Sequence, residues 1–305
     1  MKTSDKSLIV IVGPTAIGKT ALAIRIAQYL DTEIISADSR QFYKEPDIGT
    51  AKPSKKELQE VRHHFINSHS ITETFTVGDF EEQALSLLDN LYRLHDNVIL
   101  TGGSGLYIDA VCKGFDNLPK ADPGIRERLN LEYEQNGIGF LQEELKRIDP
   151  KYYNTVDLAN PQRIIRALEV YHTNGIKFSD YRTGNGKTRP FKIIKIGLNT
   201  DREKLYRQIN LRVDLMIREG LIDEVKSLVP YRHLNALKTV GYSELFDYLD
   251  GNYSLEEAID KIKQNTRNFA KRQLTWFRKD PLIEWFEPDQ YADIINYINS
   301  QIVKL

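Results

Sequence analysis

Residues 13–20 read GPTAIGKT, between the apolar run SLIVIV (7–12) and the helical pattern ALAIRIAQYL (21–30). They match G-x-x-x-x-G-K-[ST], a loop whose backbone N–H groups converge on a phosphate. The flanks supply what that chemistry needs. A buried strand delivers the loop, and the N-terminus of the next helix adds positive potential. An accidental glycine turn would have no reason to sit between those two elements. Gly13, Pro14, Thr15, Ala16, Ile17 and Gly18 are therefore read as a phosphate cradle, with Lys19 as its point charge and the Thr20 hydroxyl as a ligand for Mg²⁺.

Outward from the loop, short apolar runs alternate with helical patterns: a strand at 8–12, a helix over about 20–30, a strand at 33–37 (EIISA), a helix around 79–94 and a strand at 97–101 (NVILT). This alternation predicts an α/β fold, a P-loop-type core with a parallel sheet and crossover helices. From about Leu118 to Tyr171 the strand signals stop. DPGIRERLNLEYEQN and IGFLQEELKRIDP are helical, and Asn160 and Pro161 have the cap and first-turn chemistry to start a helix through QRIIRALEVYH. After a loop at 183–190, FKIIKIGL reads as a strand returning to the sheet. The C-terminal part reads as helical. One helix is capped by Asp201 and closed at Gly220, and another starts at Ser254, with Glu257 completing a capping box, and runs to about Lys279. The expected organisation is a core domain of residues 1–117 and 189–305 interrupted by an all-helical subdomain at 118–188.

At 305 residues, 41% apolar and 28% charged, the composition is that of a folded globular chain. A net charge of -1 excludes neither RNA nor an anionic ligand as partner, because a balanced total hides local patches. The single cysteine, Cys112, excludes an internal disulfide framework and a cysteine-rich zinc site and suits a reducing compartment. The start MKTSDKS lacks a signal-peptide layout, and no apolar run approaches the ~20 residues of a membrane helix, so a cytoplasmic protein without membrane contact is expected. His63 and His64 are adjacent and cannot share one face of a regular element, so local hydrogen bonding is expected of them. The other histidines lack metal-ligand spacing, and no structural zinc is expected.

An NTPase normally adds a metal-binding aspartate at the end of a second apolar strand. Here VILTGGSGLY ends instead in Thr101, Gly102 and Gly103. The strand that does end in an acid is EIISADSRQFY, which delivers Asp38 to the carboxyl end of the sheet, where ligands of open α/β folds bind. A carboxylate there can hold metal, accept a proton or cap a turn. Proton acceptance suits a transfer in which an N–H or O–H attacks an electrophile whose leaving group lies in the loop.

Taken together, GPTAIGKTALA, ISADSRQFYKEPDIGTAKP, HHF, GGSGLY, NPQRIIRALEV, LRVDLMIREGLIDEV, VGYSE and TRNFAKRQLTWFRKD resemble, in order, the motifs of the tRNA dimethylallyltransferases, also called tRNA isopentenyltransferases. The resemblance covers roughly residues 8–280. It implies transfer of a five-carbon group from dimethylallyl diphosphate to N6 of an adenine beside the tRNA anticodon, with release of diphosphate. The cradle would then hold an isoprenoid diphosphate. The family pattern makes Asp38 the acceptor of the N6 proton and has Thr15 to Thr20 contact diphosphate, with Arg212 neutralising the leaving group beside Lys19. It has Asp38, Ser39, Arg40 and Gln41 hold the target base. The RNA contacts it implies are Ser104, Arg126, Gln162, Arg163, Ile164, Ile165, Arg166, Thr239, Val240, Gly241, Tyr242, Ser243 and Glu244. Ser104 stands where the family has threonine. A monomer is expected, with Mg²⁺ as cofactor and the base flipped out of its loop to reach the crevice.

From Lys261 to Lys279 there are seven lysines and arginines and no acid. At 100° per residue, Lys263, Arg267, Lys271 and Arg278 form a stripe roughly 80° wide, opposite Ile262, Phe269 and Trp276. Unbroken positive sign predicts that Lys263, Arg267 and Lys271 contact RNA phosphates, against the alternative of a solvated face. Trp276 and Phe277 are expected to pack, and Leu274 inside the stripe fits neither reading. Competing functions are a prenyltransferase for free adenine nucleotides, a P-loop small-molecule kinase and a noncatalytic RNA-binding protein. The helical insertion and basic helix argue against a small acceptor.

Overall fold

In the computed structural model, residues 6–114, 119, 122–181 and 186–302 are described. They divide into two compact units, residues 1–112 with 189–305, and residues 113–188. The second unit thus begins five residues before the expected start at Leu118. That expected boundary, and the first part of the loop expected at 183–190, lie outside the described residues.

The first unit is built on a parallel six-stranded sheet: β1 (Ser7–Val12), β2 (Ile34–Ser36), β3 (His63–His64), β4 (Asn97–Thr101), β5 (Lys192–Leu198) and β6 (Ile283–Phe286), in the order β3-β2-β4-β1-β5-β6. Helices cover both faces, which is why β1 and β4 read as continuous apolar runs. On β1, Leu8, Val10 and Val12 pack to one side with Ile35, Phe80 and Leu100, while Ile9 and Ile11 pack to the other with Ile24, Ile99 and Ile196. The expected strands at 8–12, 33–37, 97–101 and 191–198 form within a few residues of their predicted ends. β3 and β6 were not expected. Two residues carry no readable alternation, and β6 makes the C-terminal part less helical than predicted.

In chain order the helices of this unit are α1 (Lys19–Leu30), α2 (Lys55–Glu60), α3 (Val77–Leu91) and α4 (Gly105–Lys113). The second unit holds α5 (Pro123–Ile148), α6 (Pro150–Tyr153), α7 (Pro161–Asn174) and α8 (Phe178–Tyr181). Its core joins Leu129, Leu141, Leu145, Ile164, Ile165 and Leu168. The two helices predicted from 122 onward both form within Pro123–Ile148, separated by Gly137, whose φ of +74° is not helical. Asn160 caps α7 as expected, accepting from the Arg163 N–H.

The chain then returns to the first unit with α9 (Arg202–Arg218), α10 (Leu221–Ser227), α11 (Tyr242–Leu249), α12 (Leu255–Phe277) and α13 (Tyr291–Ile302). Asp201 and Ser254 cap α9 and α12, and Ser254 with Glu257 forms the predicted capping box. Among the described residues no helix is long and apolar enough to cross a membrane.

Candidate functional site

Register brings the chemistry to one edge of the sheet. Thr101, at the end of β4, lies beside Ile11 of β1 and Ser36 of β2, so the loop after β1, the turn after β4 and Asp38 after β2 emerge together. They line a crevice of about 340 Å³, with Lys19, Thr20, Asp38 and Arg212 among its walls. That volume lies in the ~300–1,000 Å³ range of small-ligand sites.

The loop enters α1 through Gly18, whose φ of +97° strains any residue with a side chain. The Lys19 ammonium donates to the carbonyls of Gly13 (3.0 Å) and Pro14 (2.7 Å). Burial lowers its pKa to about 8 against the attraction of Asp38, with repulsion from Arg212 adding to the fall. Arg212 reaches the same crevice from α9 and donates to the Ala51 carbonyl at 3.3 Å. Its pKa is also lowered by burial, opposed by Asp38, Glu57 and Glu219.

The cradle departs from expectation at two residues. The Thr15 N–H is occupied by the Gln273 side-chain oxygen at 2.8 Å, so this group of Thr15 does not face a ligand. The Ile17 side chain is buried in the core, leaving its backbone to the site. Gln273 also donates to the Gly103 carbonyl at 2.9 Å, tying the phosphate loop to the turn after β4.

Asp38 begins a tight turn. Its Oδ1 accepts the Arg40 N–H at 3.1 Å and its carbonyl accepts the Gln41 N–H, so it caps the turn while lining the crevice. The Ser104 hydroxyl accepts the Ser39 N–H at 3.0 Å and pins this turn. The Arg40 guanidinium is committed to the carbonyls of Asn235 and Ala236, and Gln41 spans Ser36 and the carbonyls of Thr50 and Ala51.

Several residues expected to touch RNA are closed off by packing. Tyr242 is 0% exposed and Glu244 6%, the latter accepting from the Gly241 N–H and from Asn265. Gly241 is itself buried, Thr239 and Val240 are partly buried, and Ser243 is exposed. In the second unit the side chains of Ile164 and Ile165 belong to the core. Gln162 and Arg163 are exposed on α7. Arg126 and Arg166 both reach Glu169, at 3.4 and 3.1 Å.

The α12 stripe is also corrected. Lys263 pairs with Asp214 at 2.6 Å and Arg267 donates to Asn210 at 2.7 Å, so both turn onto α9. Trp276 and Phe277 pack as expected, Phe277 in the core and Trp276, though 37% exposed, with its ring against Gly105 and its indole N–H donating to Asp109, whereas Phe269 is 38% exposed and lines the crevice. The buried side is Ala258, Ile262, Ala270, Gln273 and Phe277, and Leu274 packs against the core cluster beneath the sheet.

Sequence reasoning passed over other crevice residues. His63 bonds the Val61 carbonyl through Nδ1, as local hydrogen bonding predicts, but its Nε2 is buried without a partner beside the crevice, like Oε1 of Gln208. Lys52, with its side chain 2% exposed, adds a cation whose pKa burial lowers. Gln208 lies one helical turn from Lys204 and Arg212 of α9, a spacing that marks it only once the helix is in place, and Gln273 has no basic residue one turn away on α12 to mark it.

The IPP transferase family model matches residues 41–280. Over 97% of this chain and 98% of its own length, a tRNA dimethylallyltransferase of Christiangramia forsetii is 55% identical, and one of Bacteroides thetaiotaomicron is 48% identical over 97% and 96%. The solved full-length tRNA isopentenylpyrophosphate transferase of Bacillus halodurans superposes with a TM-score of 0.73 at 39% identity, covering 97% of each chain. A eukaryotic dimethylallyltransferase acting on tRNA shares the fold, with a TM-score of 0.77 at 24% identity over 98% of this chain and 78% of its own.

Proposed function

Because the chain belongs to the IPP transferase family, we propose that it transfers the dimethylallyl group of dimethylallyl diphosphate to N6 of an adenosine beside the tRNA anticodon. The observation that carries this reading is one crevice lined together by a phosphate loop, the partly buried cations Lys19 and Arg212, and the Asp38 carboxylate that attracts both.

In the proposed reaction the N6 lone pair attacks the first prenyl carbon, the bond from that carbon to the diphosphate oxygen breaks, and the electron pair leaves with diphosphate. Asp38 accepts the N6 proton. Lys19 and Arg212 offset the charge that builds on the leaving group, with loop N–H groups fixed in advance toward it. The oxygen donors Thr20 and Asp38 line the same crevice and suit a hard cation such as Mg²⁺, which would supply further charge neutralisation of the diphosphate. The prenyl chain needs apolar wall, which Ala51, Pro53 and Phe269 provide. Arg126, Gln162, Arg163 and Arg166 are the proposed RNA contacts of the second unit. A cytoplasmic monomer completes the reading, and the buried Cys112, in no disulfide among the described residues, suits a reducing compartment.

Mass analysis of an anticodon stem-loop RNA incubated with enzyme, Mg²⁺ and dimethylallyl diphosphate tests the proposal. A gain of one five-carbon unit is expected. Gain on free adenosine monophosphate but not on RNA would select the free-nucleotide transferase instead.

A further inference from the structure

Residues 47–53, whose regular structure is one 3₁₀ turn at Ile48–Thr50, line the crevice through Thr50, Ala51, Lys52 and Pro53. Chain with so little hydrogen bonding of its own has to be held from outside. The holder is Glu224 on α10. Its Oε2 accepts the N–H groups of Asp47 (3.0 Å) and Ile48 (2.7 Å), and its Oε1 accepts the Gly49 N–H at 3.0 Å. Oε1 also accepts the Tyr242 hydroxyl at 2.6 Å. Burial and the Glu224 carboxylate both push the Tyr242 phenol upward, so it stays protonated and donates.

The Tyr242 ring seals the other side of the same loop. A Cβ at Gly49 would lie 2.6 Å from ring carbons of Tyr242, so residue 49 has to be glycine for the ring to seat. At its far end the loop meets the chemistry. The Ala51 carbonyl accepts from Arg212 at 3.3 Å and from Gln41 at 3.0 Å, and the next residue is the buried Lys52.

We propose that Glu224 and Tyr242 are positioning residues for diphosphate: they clamp residues 47–49 so that the Ala51 carbonyl aims Arg212 into the crevice. The inference rests on the diphosphate reading above. It gives the VGYSE tyrosine an internal role in place of an RNA contact.

The test uses Glu224→Gln, which keeps size but removes the charge and one acceptor oxygen, and Tyr242→Phe, which keeps the ring against Gly49. Pyrophosphate affinity is measured by titration calorimetry, and kcat and the separate KM values for dimethylallyl diphosphate and stem-loop RNA are measured below each variant's unfolding transition. Glu224→Gln is expected to weaken pyrophosphate binding and raise the dimethylallyl diphosphate KM by about tenfold, and Tyr242→Phe by about threefold, with the RNA KM within about twofold. The double variant should be no worse than Glu224→Gln, since both lesions break the same clamp. Unchanged pyrophosphate affinity, or a rise confined to the RNA KM, overturns the inference. If Glu224→Gln does not fold, Tyr242→Phe and Gly49→Ala carry the same test from the other side of the contact. Failure of the unsubstituted enzyme to bind pyrophosphate would sink the crevice reading itself, a result distinct from equal binding by enzyme and variants.

Discussion

At Asp38 one substitution separates proton acceptance from shape. Asp38→Asn keeps an oxygen to accept the Arg40 N–H, so the turn should persist while turnover falls ~10²–10⁴-fold and RNA affinity changes little. Single-turnover rates and RNA binding measured on the same preparation check this, and near-normal turnover would reject the assignment. Lys19 makes a second residue-scale forecast through its pKa of about 8. The free enzyme needs the ammonium to meet diphosphate, so kcat/KM for dimethylallyl diphosphate should fall as pH rises through 8. Stability should move the other way. The unfolded chain keeps this lysine protonated to about 10.5, so between 8 and 10.5 it binds more protons than the folded state, and folding gains with pH. Denaturation of Lys19→Met and the unsubstituted protein at pH 7.5 and 10 isolates this residue, whose contribution should be more favourable at pH 10. The motif spacing identified Lys19 as a cation, whereas its lowered pKa depends on burial that only the packed crevice supplies.

At the scale of the element, α12 shows how a correct helix can be assigned the wrong face. Its ends were legible because Ser254 and Glu257 satisfy the first N–H groups locally. Its orientation was not, because α9 offers Asp214 and Asn210 to the basic side and the crevice exposes Phe269. Lys263 and Lys271 should therefore behave differently. Lys263→Gln breaks a partly exposed ion pair, costing about 0.2–1 kcal/mol of stability and leaving the salt dependence of tRNA binding unchanged. Lys271 is exposed, and Lys271→Gln should weaken tRNA binding and flatten its logarithmic salt slope by roughly 0.7–0.9 without lowering the unfolding midpoint. Affinity measured against salt, with thermal unfolding alongside, checks both. Equal effects of the two substitutions on the slope would mean that the Asp214 pair does not occupy Lys263 in solution.

For the whole molecule, the sheet decides between phosphate chemistries. β4 lies between β2 and β1 and ends in Thr101, with Gly102 packed against the Ala37 carbonyl, so no carboxylate follows it where an NTPase places its second acid. Dimethylallyl diphosphate with Mg²⁺ should displace a fluorescent pyrophosphate analogue from the crevice at lower concentration than ATP does, and phosphate release from ATP should be negligible. Robust ATP turnover in the presence of a small acceptor would instead favour a kinase.

Sequence alone determined the parts whose signal is local. The phosphate loop, the strands at 8–12 and 97–101, the caps at Asn160, Asp201 and Ser254 and the acid after β2 each follow from residues within one turn or one strand of each other. The resemblance to a family added the reaction, because it rests on several such stretches in fixed order. Tertiary structure decided what depends on distant partners. Gln273 is 258 residues from the Thr15 N–H it occupies, and Glu224 is 175 residues from the glycine it holds. Tyr242 looked like a contact for RNA until its ring was found against Gly49. A polar side chain carries the same letter whether it meets solvent, ligand or another loop, and only the packing of α9 to α12 against the sheet determines which of them it meets.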